Sequence, residues 1–338
     1  MFIMNDLKDY VQGLDPEVRK QYTTKVRKKE LSHLEEGRIA DYQRLVESTG
    51  IEPNNTSIQE LESRLIIKDE WGKYENVCEA TGVSGRRSEL QEKQLFYLKN
   101  GEIELFAESV KRAKSAPTQE KIYQEKPMIL AQELEFILHE EWEQYALIAD
   151  AAKIRVEDSL IQNMQLRYLD AGDWETYRES HRFTSVKPVE EDIKNLERRS
   201  LCFGRWTQFE RICRETEIYL EEGDLEVLKQ PIKQKQIETL SQGRIGDYEE
   251  SVKSTRIRLS PDEILQIKSA VISAQTSMLL NGDSESYEKS VAALGVQLNP
   301  MELLIIMPRI QKKLGELEST NQGKYVRLSA WLSRNIIS

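Results

Sequence analysis

Three histidines, three cysteines and several carboxylate pairs are the side chains best suited to catalysis or metal binding, and their spacing supports neither. His33, His139 and His181 lie far apart in a chain of 338 residues, with no HExxH, His-x-His or DxDxDG arrangement. No ligand set converges, so neither a metal nor a cofactor is expected. Cys78, Cys202 and Cys213 form no CxxC pair and are odd in number, which speaks against a disulfide framework and for a reducing compartment. No G-x-S-x-G marks a nucleophilic serine. Neither G-x-G-x-x-G nor G-x-x-x-x-G-K-[ST] marks a nucleotide loop. VSGRRSEL (Val83–Leu90) sets a glycine and two arginines before a helix start, a geometry able to hold one phosphate; a solvated linker is the plainer reading. Glu35–Glu36, Glu140–Glu141, Glu190–Glu191, Glu221–Glu222 and Glu249–Glu250 are adjacent in sequence. Neighbours on a helix point about 100° apart, so none of these makes an acid–base pair by itself. The chain is read as not being an enzyme.

Charge narrows the partners. The chain carries 48 basic and 58 acidic residues, a formal net charge of −10. Such a chain repels phosphate backbones at long range. One stretch runs against this balance: DPEVRKQYTTKVRKKEL concentrates Arg19, Lys20, Lys25, Arg27, Lys28 and Lys29. It is a candidate basic patch for nucleic acid or an acidic partner, or else the solvated face of a capping helix. The opening MFIMNDLKDY lacks the basic start and apolar stretch of a signal peptide. The longest conspicuous apolar run, LLIIM at Leu303–Met307, ends at Pro308, far short of the roughly 20 residues of a membrane span. A cytoplasmic protein without membrane insertion is expected.

The elements that position these side chains follow from a repeat. GRIADYQRLVESTG begins at Gly37 and GRIGDYEESVKSTR at Gly243. Taking Tyr42 as position zero, the same context recurs at Tyr74, Phe106, Tyr145, Tyr177, Phe209, Tyr248, Tyr287 and, more weakly, Tyr325. The steps are 32, 32, 39, 32, 32, 39, 39 and 38 residues. Position −8 is Leu or Ile in every copy, and position −5 is glycine in six: Gly37, Gly101, Gly172, Gly204, Gly243 and Gly282. Offsets −3, 0, +4 and +7 share one helical face. Glycine at −5 suits a C′ residue of positive φ. Each copy therefore reads as helix A, a glycine turn and helix B, with helix B ending near +8, where Gly50 and Gly82 stand. Proline follows at Pro53, Pro117, Pro188, Pro261 and Pro300, where it suits the entry to the next helix. The seven extra residues of a long step lengthen a helix or a connection.

No such unit buries its own apolar face; stacking does. The fold class expected is all-α, a right-handed α-solenoid of about nine helix-turn-helix units of 32–39 residues. It is a single array over 1–338, with caps at 1–30 and 301–338. The aromatics at position zero are structural anchors: each buries on the order of 150–250 Å². Helix pairs of this length resemble the tetratricopeptide, HEAT and ankyrin classes. GRIADYQRLVESTGIEPN resembles the second helix of an ankyrin unit, while T-P-L-H and W-x-x-L-G-x-x-Y are absent. The resemblance reaches the α-solenoid helical-repeat class and implies partner binding.

At position −9, Tyr97, Phe136 and Tyr168 occupy consecutive units. If helix A lines a concave surface they form a ladder for a peptide, and they are the candidate ligand-binding residues. Packing between units is the competing reading. The function expected is non-catalytic binding of a protein or peptide along that surface. A nucleic-acid-binding solenoid using the basic N-terminal helix is the alternative, and an enzyme with scattered groove residues a second.

Overall fold

The computed structural model describes residues 3–336, and all regular structure among them is α-helical. The chain is an all-α helical repeat, its described residues forming 21 helices in which sequence neighbours touch. The first helices are α1 (Ile3–Gly13), α2 (Pro16–Glu35), α3 (Ile39–Thr49), α4 (Asn55–Ile67), α5 (Trp71–Thr81), α6 (Arg87–Lys99) and α7 (Ile103–Ala113). Then come α8 (Gln119–Gln124), α9 (Lys126–Leu138), α10 (Trp142–Ala152), α11 (Asp158–Ala171), α12 (Trp174–Thr184), α13 (Glu190–Cys202) and α14 (Trp206–Thr216). The last are α15 (Glu222–Ser241), α16 (Ile245–Thr255), α17 (Pro261–Gln266), α18 (Lys268–Leu280), α19 (Ser284–Leu294), α20 (Pro300–Thr320) and α21 (Gln322–Ile336). Backbone contacts divide the chain into two compact units. One holds the residues up to Ile161 with Arg178–Val186, the other Gln162–Tyr177 with the residues from Lys187 onward.

The B helices are α3, α5, α7, α10, α12, α14, α16 and α19, each 11 residues long. Two left-handed residues set that length. Position −5 has positive φ in all eight pairs: glycine in six, Asp69 and Glu140 in the others. Position +8 is left-handed as well, with Gly50, Gly82 and Gly295 in three pairs and Lys114, Lys153, Ser185, Glu217 and Arg256 in the rest. Each stop is a C-cap that turns the chain sharply. Threonine at +7 closes several of these ends: Thr255 donates its hydroxyl to the Ser251 carbonyl and accepts the N–H of Ile257. Thr49 and Thr81 do the same.

The A helices come in two lengths. The short ones have 13 or 14 residues. The long steps correspond to two further turns at the N-terminal end of helix A, seen in α8–α9, α15, α17–α18 and α20. Two of these long helices stay continuous around an internal proline, Pro231 in α15 and Pro308 in α20. The other two break into short and long segments.

All eight anchor rings, from Tyr42 to Tyr287, are buried. So is position −8 throughout, for example Leu34, Leu98 and Leu240. In the ninth pair the register changes. Thr320 stands where a residue of positive φ turns the other pairs, and α20 runs on to it. Tyr325 is only half-buried. Leu328 and Trp331 fill the interior instead, Trp331 meeting Tyr287 edge-on at 5.4 Å between ring centroids.

Candidate functional site

The aromatic ladder expected at position −9 is not a surface. Tyr97 is fully buried, and Phe136 and Tyr168 are buried too. The reason lies in the turn at −5. Helix A of one pair packs on the glycine turn of the pair before it: a Cβ on Gly101 would stand 2.6 Å from Phe136 Cζ. Met278 lies against Gly243 in the same way. Where the turn residue is Asp69, Tyr97 donates its hydroxyl to that carboxylate and accepts the indole N–H of Trp71 at 3.3 Å. Position −9 is thus the bolt between repeats, and its rings offer no face to a ligand.

The basic patch is exposed at all six residues but is not concentrated. Arg19 reaches back to the carbonyls of Val11, Gln12 and Leu14 and so closes the end of α1. The guanidinium of Arg27 donates to the Glu52 carbonyl at 3.0 Å. The remaining cations, Lys20, Lys25, Lys28 and Lys29, spread over about 180° of the circumference of α2 at 100° per residue. That is too wide for a single phosphate-facing stripe.

Two of the three thiols are held within the packing, and the metal candidates do not converge. Among the described residues no group of three His, Cys, Asp or Glu side chains could hold a metal. The Cys78 and Cys213 thiols donate to Glu62 and Glu197, each at 3.2 Å. Burial, reinforced by the neighbouring carboxyl, pushes the Cys78 thiol up to about 12 and raises that of Cys213 as well. Neither offers a thiolate at neutral pH. Cys202 is exposed. In VSGRRSEL the Glu62 carboxyl and the Tyr74 ring take the space beside Gly85, 3.3 and 3.5 Å from where a Cβ would stand; a phosphate would meet a carboxyl there.

The packing holds a polar row that hydropathy conceals. Position −12 on helix A is Glu30, Glu62, Gln94, Glu133, Gln165, Glu197, Gln236 and Gln275 in the first eight pairs, every one at 0% exposure. It sits between two apolar positions, −16 and −8, each one helical turn away. The glutamines stitch helix A to the loop after helix B. Gln94, Gln236 and Gln275 donate to the carbonyls of Ser115, Ile257 and Val296, all at position +9. Gln236 and Gln275 also donate to Ser251 and Ser290 on helix B. Glu133 does the complementary job, accepting the Val156 N–H at +11. In the first pair +11 is Pro53, which has no N–H, and both carboxyl oxygens of Glu30 lack a hydrogen-bond partner. Burial pushes Glu30, Glu62, Glu133 and Glu197 each up to about 7.

Two surface features of the second unit remain outside this packing. The first is a groove of about 680 Å³ between α16, the following loop, α17 and α19. Tyr248, Val252, Leu259, Ile264 and Ala293 form its apolar lining, and Glu249, Lys253, Arg256 and Arg258 its charged rim. The second is apolar. The two-turn extensions of helix A in three consecutive long pairs display Val227 on α15, Leu265 on α17, and Met301, Leu304 and Ile305 on α20, all 65–80% exposed. On α20, Met301, Leu304, Ile305 and Pro308 are spaced as one exposed helical face. Lys233 and Glu263, 2.9 Å apart, tie α15 to α17 beside it. Helix α17 joins the two features: Ile264 lines the groove and Leu265 faces outward. No helix of the described residues is long and apolar enough to cross a membrane.

No protein-family model matches the chain, and no curated protein matches it significantly.

Proposed function

We propose that the chain is a non-catalytic helical-repeat protein that binds a protein or peptide partner. The observation that carries this reading is the apolar row of the second unit. Val227, Leu265, Leu304 and Ile305 lie within three adjacent positions, −22 to −20, of successive long A helices, and each exposes most of its side chain. Large apolar side chains grouped on a surface are characteristic of protein contacts. A nucleic-acid backbone would reward cations there instead. The extensions begin with acidic residues, the N-cap Glu221 with Glu222 and Asp224 on α15, and Asp262 and Glu263 on α17. The absorbed thiols and the separated histidines support the non-catalytic part.

A photo-crosslinking residue placed at Leu304 of the full chain tests this in cells that express it. A discrete protein adduct is expected, lost when Leu265→Asp is added and absent when the crosslinker stands at Lys312, an exposed polar position on the same helix. Adducts with nucleic acid alone, or equal labelling from both positions, would overturn the reading.

A further inference from the structure

The helix pairs supply an internal baseline against which one pair stands out. Three positions around the end of helix B, +5, +8 and +10, are Glu47, Gly50 and Glu52 in the first pair and Glu79, Gly82 and Ser84 in the second. In the seventh they are Lys253, Arg256 and Arg258. It alone is basic at all three. Two cations at these places in other pairs are held by partners, Lys114 by Glu79 at 3.0 Å and Arg155 by Asp150 at 2.9 Å. Lys253, Arg256 and Arg258 are exposed and make no ion pair or side-chain hydrogen bond among the described residues. Arg256 takes the left-handed conformation, φ 60°, as do Lys114, Lys153, Ser185 and Glu217 at the same place in other pairs.

We propose that this groove binds an acidic peptide segment of the partner, Lys253, Arg256 and Arg258 receiving its carboxylates while Val252, Leu259 and Ile264 receive an apolar side chain. The proposal rests on the partner-binding reading above and names what that partner presents. The groove, at about 680 Å³, lies within the range of roughly 300–1,000 Å³ typical of ligand sites. Last-turn cations complement the helix dipole on any helix, but that role needs neither a cavity nor an apolar floor. The groove opens at the C-terminal end of α16, where the outward carbonyls disfavour carboxylate and phosphate alike, so the attraction for an anion comes from the three cations. Glu249 on the rim and the net charge of −10 also disfavour a long polyanion. A short segment alternating carboxylates with apolar side chains satisfies both rim and floor, and α17 carries it on toward the exposed row at Leu265.

The probe is a fluorescein-labelled peptide of alternating glutamate and leucine, titrated with the full chain and followed by anisotropy. The test variant combines Lys253→Glu, Arg256→Gly and Arg258→Ser, residues that the second pair already carries at the same places, so the fold is retained. Affinity is expected to fall at least about tenfold in that variant, to fall likewise with glutamine in place of glutamate in the peptide, and to rise with Glu249→Gln. Equal binding by the triple variant, equal binding of the glutamine peptide, no binding by the wild-type chain, or stronger binding of an oligothymidylate of equal charge would each overturn the proposal. No binding of the glutamate–leucine peptide by the wild-type chain, with the Leu304 adduct still formed, would sink the acidic-segment assignment alone and leave partner binding standing.

Discussion

Replacing Glu30 with glutamine is expected to stabilise the protein, and only where the carboxyl would be charged. Glu30 is fully buried and both its oxygens lack partners, because Pro53 stands where the fourth pair offers the Val156 N–H. Burial raises its titration to about 7; the nearby Arg27 works against that and Glu52 and the buried Tyr42 hydroxyl lie close by. A carboxyl that titrates near 4.5 in the unfolded chain and near 7 in the fold binds its proton more tightly in the folded state. It therefore gives its full stability below about pH 4.5, loses it as pH rises to about 7, and costs about 3 kcal/mol above that. Glutamine has no charge to bury. It can also donate to the Ile51 carbonyl, the +9 acceptor used by Gln94, Gln236 and Gln275, a bond worth about 1 kcal/mol. Glu30→Gln should thus gain up to about 4 kcal/mol at pH 8 and about 1 kcal/mol or less at pH 4.5. Urea unfolding of both proteins across this range, followed by circular dichroism, measures the difference, in which every other titrating group cancels. A variant less stable than wild type at pH 8, or a gain independent of pH, would refute the reasoning.

Three further outcomes test the packing. Glu62→Gln and Glu197→Gln should shift the unfolding midpoint in the same direction as Glu30→Gln and with the same pH window, since burial raises both carboxyls to about 7. Tyr97→Phe deletes the hydroxyl shared by Asp69 and Trp71; it should cost about 1–2 kcal/mol and leave peptide binding in the seventh-pair groove unchanged. A thiol reagent should label Cys202 fastest in the native protein, the half-buried Cys78 more slowly, and the buried Cys213 only on unfolding. Equal rates at all three would contradict the burial of Cys213 and the contact of Cys78 with Glu62.

The aromatic anchors, the glycine turn and the eleven-residue B helix were readable because each has a type of residue suited to one local task. A ring at position zero is large, glycine at −5 accepts positive φ, and the helix between two such stops has little freedom of length. Two parts were not readable, for opposite reasons. Tyr97, Phe136 and Tyr168 look like a recognition stripe because sequence does not say which face of helix A meets the preceding turn; Gly101 against Phe136 decides it. The Glu/Gln row looks like a solvated face because polarity ordinarily marks the outside. Aligning the pairs on the anchors would expose it: position −12 is Glu or Gln eight times running, one turn from apolar positions on either side. The unpaired cations of the seventh pair could be noticed in sequence, but the groove that gathers them depends on α19, from the following pair.

The lengths of the A helices carry a consequence for how such a chain can change. Two α-helical turns take 7.2 residues, so adding seven leaves the side chains downstream within about 20° of their former direction. Growth by a heptad is therefore nearly silent for the interior, and the chain displays new surface, such as Leu265 and Leu304, without disturbing the seam beneath it. An insertion of five would swing that seam by about 140° and send Gln275 or Leu279 into water. Repeat size in this architecture should come in discrete increments, with novelty confined to the added turns.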